Sequence, residues 1–334
     1  MELDLAFIWA GLIAFAVLTY VILDGFDLGV GILFPLAGSE TDRDTAMNSV
    51  APVWDGNETW LVLGGGGLFA VFPLAYAVVM PALYMPITLM LLGLVFRGVA
   101  FEYRWKTRRW KSVWDVAFVG GSVLAALCQG IALGALVQGI EMADRAYAGG
   151  WWDWLTPFSL LTGGAVVTGY ALLGATWLVM KTEGSLQDRM RRLAGPLALA
   201  TLALIGVVSL ATPFQDPVYF DRWFSFPAAL YSALVPVLLF FAAMYLYRGL
   251  AANSDHAPFL ASLALFVISF VGIGISFYPM MVPPELTIQE AAAPRSSLAF
   301  ALVGALILVP IILAYTGYAY WVFRGKVRPG EGYH

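Results

Sequence analysis

Long apolar stretches constrain this 334-residue chain more than any other feature, because 60% of its residues are hydrophobic and only 12% are charged. A helix needs about 20 apolar residues to cross the hydrocarbon core of a bilayer. Nine stretches have about that length or more: 5–36, 56–74, 76–104, 113–140, 157–181, 191–212, 224–248, 258–280 and 297–323. We therefore predict an all-α membrane protein with nine transmembrane helices.

The short loops between these stretches leave no room for a soluble domain. We expect a single integral membrane domain over residues 1–334, with three parts: a first four-helix half (1–141), a second four-helix half (155–280) and an additional peripheral helix (297–325). The net charge of −4 provides no basic field that would attract a nucleic acid.

Lys and Arg residues are distributed unevenly over the predicted loops. The segments that follow the odd-numbered predicted helices hold 14 of them, and the segments on the other side of the membrane hold 3. Cytoplasmic loops of membrane proteins carry the excess of Lys and Arg. The distribution predicts a periplasmic N-terminus and a cytoplasmic C-terminus.

Acidic residues three positions apart occur in the first two predicted helices: Asp24 with Asp27, and Asp55 with Glu58. This spacing places both members of a pair on one helix face. The predicted topology brings all four to the cytoplasmic side of the membrane. Ionisable groups at such depth are costly and indicate function, and crowded carboxylates take up protons more readily. We predict a proton-uptake path through these four residues.

Three charged residues near the cytoplasmic end of the third predicted helix are candidates for charge compensation: Arg97, Glu102 and Arg104. Arg97 lies inside the apolar stretch, where it would neutralise part of the carboxylate charge. Two alternative interpretations involve no proton transfer. Asp55 with Glu58 also fits a capping box, and the two aspartates of the first helix with Arg97 also fit a structural ion pair.

Histidine and cysteine are scarce. The chain has one cysteine, Cys128, and two histidines, His256 and the C-terminal His334. These are too few for a disulfide framework or a thiolate metal site. We predict no haem ligand and no metal ligand in this chain.

Four stretches resemble subunit II of cytochrome bd-type quinol oxidases, and most closely the cyanide-insensitive branch of that family. They are LDGFDLGVG at 23–31, NSVAPVWDGNETW at 48–60, FRGVAFEYR at 96–104 and LVPIILAYT at 308–316. Length, helix count and orientation agree with the resemblance along essentially the whole chain.

The resemblance implies a subunit of a quinol:O2 oxidoreductase of aerobic respiration in a bacterial inner membrane. Haems b and d and quinol oxidation would belong to the larger subunit I, and this haem-free chain would support it without being catalytic alone. The resemblance associates Asp55 with proton uptake from the cytoplasm and Trp60 with an oxygen route. Quinone binding by this subunit varies within the family, so quinone or lipid is a candidate ligand, and small single-helix subunits are candidate partners.

Two other classes of protein are alternatives. A secondary transporter with two related helical halves would place its charged residues at the bilayer midplane, whereas here they cluster at one edge. A haem-bearing oxidase in its own right would need more histidines. Copurification with a haem-containing partner would discriminate among the three.

Overall fold

The computed structural model describes residues 4–107 and 109–328. These residues form thirteen α-helices: α1 (Leu5–Leu33), α2 (Glu40–Asn48), α3 (Trp54–Val71), α4 (Pro73–Ala82), α5 (Tyr84–Lys106), α6 (Lys111–Gln138), α7 (Pro157–Lys181), α8 (Gly184–Ala211), α9 (Pro217–Phe224), α10 (Ala228–Ala251), α11 (Ala257–Phe277), α12 (Ile288–Ala291) and α13 (Arg295–Val322). Two short antiparallel hairpins complete the fold: β1 (Met142–Ala143) with β2 (Ala146–Tyr147), and β3 (Met280–Val282) with β4 (Leu286–Thr287). The predicted all-α class is confirmed.

Eight of these described helices are long and apolar enough to cross a membrane: α1, α5, α6, α7, α8, α10, α11 and α13. Each corresponds to one of the predicted stretches. Two of them, α1 and α7, follow an N-cap side chain that accepts hydrogen bonds from backbone N–H groups of the first turn. Asp4 accepts from the backbone N–H groups of Ala6 and Phe7 before α1, and Thr156 accepts from that of Ser159 at the start of α7.

The predicted second and third stretches are divided differently in the structure. The stretch 56–74 corresponds to α3, which has 18 residues and is less apolar because its first turns carry Asp55, Asn57 and Glu58. A break at Phe72 separates α3 from α4, and Pro73 begins α4 because its missing N–H is not needed there. The stretch 76–104 is therefore shared between the short helix α4 and the long helix α5.

Helix α1 lies at the centre of the bundle and packs mainly against α7, α3 and α6. Its contact with α7 is a backbone-to-backbone crossing at two glycines. A Cβ atom at Gly29 would overlap the Tyr170 carbonyl oxygen, and one at Gly174 would overlap the Gly29 backbone. Small residues allow membrane helices to approach this closely.

The last helix, α13, corresponds to the additional helix predicted at 297–325. Leu298 is its one buried residue, and most of its apolar side chains are exposed along its length. The helix is attached near its two ends: Trp9 Nε1 donates to the Leu298 carbonyl oxygen at 3.0 Å, and Lys181 Nζ donates to the Phe323 carbonyl oxygen at 2.5 Å. Its middle part remains available to lipid or to another chain.

Candidate functional site

Arg97 lies at the centre of a buried ionic site. Its Nη1 atom donates to Asp24 Oδ1 at 2.7 Å and to Glu58 Oε1 at 2.9 Å. Its Nη2 atom lies 3.7 Å from Asp27 Oδ2. The side chains of Arg97, Asp24 and Asp27 are almost completely buried, whereas that of Glu58 is 24% exposed. We call these four residues the Arg97 cluster.

The helices bring these side chains together because their backbones approach closely. Asp24 and Asp27 share a face of α1, and α5 delivers Arg97 from beside α6. At that contact a Cβ atom on Gly121 would lie 3.0 Å from the Arg97 backbone nitrogen. Helix α3 packs against α1 and contributes Glu58 in its second turn.

Asp27 also has a neutral hydrogen-bond donor, which is in turn held by a tyrosine of α13. Asn57 Nδ2 donates to Asp27 Oδ2 at 2.7 Å, and Asn57 Oδ1 accepts from the Tyr320 hydroxyl at 2.8 Å. Within the described part of the chain, Asp24 Oδ2 and Asp27 Oδ1 have no hydrogen-bond donor. Each buried aspartate therefore keeps one oxygen that can accept a proton.

Asp55 lies outside the Arg97 cluster, exposed on the first turn of α3 and close enough to Glu58 to interact with it electrostatically. The capping-box interpretation of Asp55 and Glu58 is wrong, because Val53 is the N-cap and no side chain caps this helix. Asp55 instead lies inside the first turn, where a negative charge interacts favourably with the helix dipole.

Glu102 and Arg104 are not brought to the Arg97 cluster. Glu102 is 67% exposed and lies 3.3 Å from Lys106, one turn away on the surface. Arg104 is buried and belongs to a second ionic group, in which it contacts Asp44 at 2.6 Å and Asp115 at 2.5 Å. Their distance from Arg97 has a simple cause: residues five and seven positions further along α5 lie at least one turn nearer the C-terminal end of that helix.

Sequence reasoning did not single out the acidic partners of Arg104. Asp44 lies on α2, a short helix in a segment that was expected to be a loop, and Asp115 lies near the start of α6. The Ser39–Asp42 capping box, in which each side chain accepts from the other's backbone N–H group, was a local signal for α2.

Trp60 is fully buried on α3, in a small apolar cluster with Ala16 and Tyr20 of α1. Phe15 packs edge-to-face against its ring at 5.8 Å. The indole Nε1 has no hydrogen-bond acceptor among the described residues. A role of Trp60 in an oxygen route stays a prediction.

The described residues contain no group of three or more His, Cys, Asp or Glu side chains that could hold a metal ion. His256 lies in the loop before α11, and Cys128 is buried in α6. His334 lies outside the described residues.

Comparison with known proteins identifies the family. The family model for cytochrome bd terminal oxidase subunit II matches residues 5–323. Among curated proteins, the chain is 34% identical to the cytochrome bd-I ubiquinol oxidase subunit 2 of Escherichia coli strain K12, with 97% of this chain and 95% of that protein covered. It is 28% identical to the cytochrome bd ubiquinol oxidase subunit 2 of Bacillus subtilis strain 168, with 97% of each covered.

A solved structure agrees in fold. The bd oxidase from Geobacillus thermodenitrificans contains a chain that superposes with a TM-score of 0.76 at 17% identity, covering 97% of this chain and 100% of that one. The family model spans nearly the whole sequence, and the fold carries the helices that build the Arg97 cluster. The chain belongs to the cytochrome bd terminal oxidase subunit II family.

Proposed function

We propose that this chain supports the haem-bearing subunit I of a bd-type quinol:O2 oxidoreductase and supplies that enzyme with protons from the cytoplasm. Family membership makes the chain a component of a quinol oxidase in a bacterial inner membrane. The observation that carries the proton-uptake role is the Arg97 cluster, in which one guanidinium faces three carboxylates in an apolar bundle.

The proposed topology has a periplasmic N-terminus, a cytoplasmic C-terminus and nine membrane-spanning segments, with α3 as the ninth. The excess of Lys and Arg on one side supports this orientation. The division into halves 1–141 and 155–280, plus the helix at 297–325, is part of the same proposal. In this orientation Asp55 and Glu58 lie at the cytoplasmic, N-terminal end of α3.

The path is proposed to begin at the exposed Asp55 carboxylate, which takes a proton from cytoplasmic water and transfers it to Glu58. Glu58 then delivers it to the free oxygen of Asp24 or Asp27. Arg97 keeps these carboxylates close to one another and limits their mutual repulsion. The proton continues to the partner subunit, where the family's haems b and d supply the electron-transfer and oxygen chemistry.

The experiment removes one carboxylate at a time from the purified complex. We expect Glu58→Gln to lower quinol oxidase turnover by on the order of 100-fold, because an amide cannot carry the proton. Asp55→Asn should have a smaller effect, because water can reach Glu58 directly. Haem content per complex should stay normal in both.

Glu102→Gln provides the matched control, because Glu102 is an exposed carboxylate near the same membrane edge that contacts Lys106 and not Arg97. Its turnover should equal that of the wild type. Unchanged turnover of both Glu58→Gln and Asp55→Asn across pH 6–8 would reduce the cluster to a structural ion pair. The transporter alternative is not favoured, because the chain belongs to an oxidase family.

An apolar cavity of about 730 Å³ between α1, α10 and α11 is proposed to hold a quinone or a lipid chain. Phe15, Tyr231, Phe270 and Tyr278 line it together with one cationic residue, Arg222. Aromatic and apolar walls beside one cation suit an apolar tail with a polar head. Solvent extraction of the purified complex and mass spectrometry should find such a molecule, and a complex that retains neither would contradict this assignment. Small single-helix subunits could pack on the exposed face of α13.

A further inference from the structure

Tyr320 makes a polar contact from α13 into the interior of the bundle. Its hydroxyl donates to Asn57 Oδ1 at 2.8 Å. Its ring packs edge-to-face against Phe26 and Trp177, with 6.4 Å between the ring centroids in each pair. By contrast, the ring of Tyr318 on the same helix is 63% exposed. The hydroxyl that contacts Asn57 therefore belongs to a ring that is held in place by packing.

The side-chain amide of Asn57 is buried and has hydrogen-bond partners at both ends. Its Nδ2 atom donates to Asp27 Oδ2 at 2.7 Å and to the Leu23 carbonyl oxygen at 3.4 Å. A carbonyl oxygen can only accept, whereas the Tyr320 hydroxyl at the other end of the amide can donate. These partners together determine that the N–H groups of the amide, and not its carbonyl oxygen, face Asp27.

The two carboxyl oxygens of Asp27 differ as a result. Oδ2 accepts from Asn57 and lies 3.7 Å from Arg97 Nη2. Oδ1 is buried and has no donor in the part of the chain that the structure describes. A proton on Oδ2 would compete with these N–H donors for the same side of the carboxyl group, whereas a proton on Oδ1 leaves Oδ2 free to accept from them. The geometry favours Oδ1 as the oxygen that takes the proton.

We propose that Tyr320 is a positioning residue of the proton path, which acts through Asn57 to direct the proton onto Oδ1 of Asp27. Without the hydroxyl, Asn57 Oδ1 has no donor among residues 4–107 and 109–328, so the amide can turn its carbonyl oxygen toward Asp27. A protonated Asp27 would then donate to that oxygen, and this hydrogen bond would slow onward transfer of the proton. The inference rests on the proposed proton-uptake function and gives α13 a part in it.

The test compares Tyr320→Phe with the wild type in the purified complex, because phenylalanine keeps the ring and removes only the hydroxyl. Proton uptake after a pulse of oxygen, followed with a pH indicator, should slow by about 2- to 10-fold, the factor that corresponds to the loss of one hydrogen bond. Turnover should fall with no change in the KM for quinol. Reduction of the haems of the complex by quinol should keep its wild-type rate, because this step does not use the proton path.

Asn57→Leu is a second variant that interrupts the same contact one step nearer to Asp27. Leucine is similar in size to asparagine and has no amide, so proton uptake should slow at least as much as in Tyr320→Phe. The double variant should be no slower than Asn57→Leu alone, because Tyr320 acts only through Asn57.

Tyr318→Phe is the matched control, because it removes a hydroxyl from an exposed position of the same helix. Its rate of proton uptake and its turnover should equal those of the wild type.

Three outcomes would overturn the inference: unchanged proton uptake in Tyr320→Phe, an equal loss in Tyr318→Phe, or a double variant that is slower than Asn57→Leu by the full effect of Tyr320→Phe. Failure of the proton path itself is recognised separately, because Glu58→Gln would then leave turnover unchanged. If only the role of Tyr320 is wrong, Glu58→Gln is slow and Tyr320→Phe takes up protons as fast as the wild type.

Discussion

At the scale of single residues, one guanidinium cannot neutralise the carboxylates around it. Arg97 contributes one positive charge, and Asp24, Asp27 and Glu58 would contribute three negative charges if all were ionised. Charges in an apolar interior interact strongly because little solvent screens them. Any protonation of this cluster therefore relieves repulsion.

Removal of Arg97 should affect assembly more than activity per complex. Arg97→Leu leaves buried carboxylates without their cation, which costs about 3–5 kcal/mol. We expect much less haem-containing complex per milligram of membrane, and the complex that does assemble should retain most of its turnover.

Lys106→Leu is the control for this prediction, because Lys106 is a surface cation on the same helix whose pair with Glu102 is largely exposed. Exposed pairs contribute about 0–1 kcal/mol, so its yield should match the wild type. A normal yield of Arg97→Leu would show that these carboxylates do not depend on the guanidinium.

At the scale of helices, α1 and α7 cross closely, and Tyr20 of α1 and Tyr170 of α7 both hydrogen-bond to Gln129 of α6. The crossing needs glycine, because at Gly29 a Cβ atom would also lie 2.7 Å from the Gly174 backbone nitrogen. Backbone atoms of α7 cannot move away without displacing the whole helix. The aspartates of the Arg97 cluster and the glycine of this packing contact lie within two turns of each other on α1.

Gly29→Ala should lower the thermal stability and the yield of the complex, because overpacking at a tight contact costs about 1–3 kcal/mol. Gly11→Ala on the same helix is the matched control. A Cβ atom there meets nothing within 4 Å, so alanine should leave stability equal or slightly higher because of its helix propensity. Equal melting temperatures for the two variants would contradict the tight crossing.

At the scale of the whole molecule, the residues that directly follow α13 contact the second half of the chain (155–280). Lys326 Nζ lies 2.7 Å from Asp255 Oδ2, and Arg191 Nη2 lies 2.8 Å from Asp255 Oδ1. Val327 N–H donates to the Lys181 carbonyl oxygen at 2.8 Å. This attachment keeps α13, and with it Tyr320, beside Asn57.

The Asp255 contact should depend on pH in a defined direction. Partial burial raises the pKa of Asp255, but Lys326 and Arg191 outweigh burial and leave the pKa below its ordinary value. A lowered folded-state pKa contributes stability above the unfolded value of about 4, and that stability is lost as the pH falls through the folded value. Asp255→Asn should therefore lower the melting temperature at neutral pH, and its difference from the wild type should shrink below about pH 4.

Glu183→Gln is the comparison for this effect, since Glu183 is an exposed carboxylate in the neighbouring loop between α7 and α8. Its melting temperature should follow the wild type at every pH. A difference between Asp255→Asn and the wild type that is constant from pH 7 to pH 3 would contradict a contribution from the ionised carboxylate.

The proposal that subunit I holds all the haem ligands leads to a further prediction. Haem iron in proteins is held by His, Cys, Met or Tyr, and His256 is the one histidine in residues 4–107 and 109–328. His256→Ala should leave haem content and the absorption spectrum of the complex unchanged. A lost haem band would place a ligand on this chain.

Hydropathy by itself determined the helical class and the positions of the eight apolar helices, because both depend on local composition. The sidedness is a prediction from the distribution of Lys and Arg over the loops. The spacing of Asp24 and Asp27 likewise determined that they share a helix face. Only the tertiary structure decided which residues meet. It placed Arg104 with Asp44 and Asp115, left Glu102 on the surface and connected Tyr20, Gln129 and Tyr170. Such contacts depend on where helices cross, and helices cross where backbones far apart in sequence can approach closely. A local sequence pattern does not contain that information.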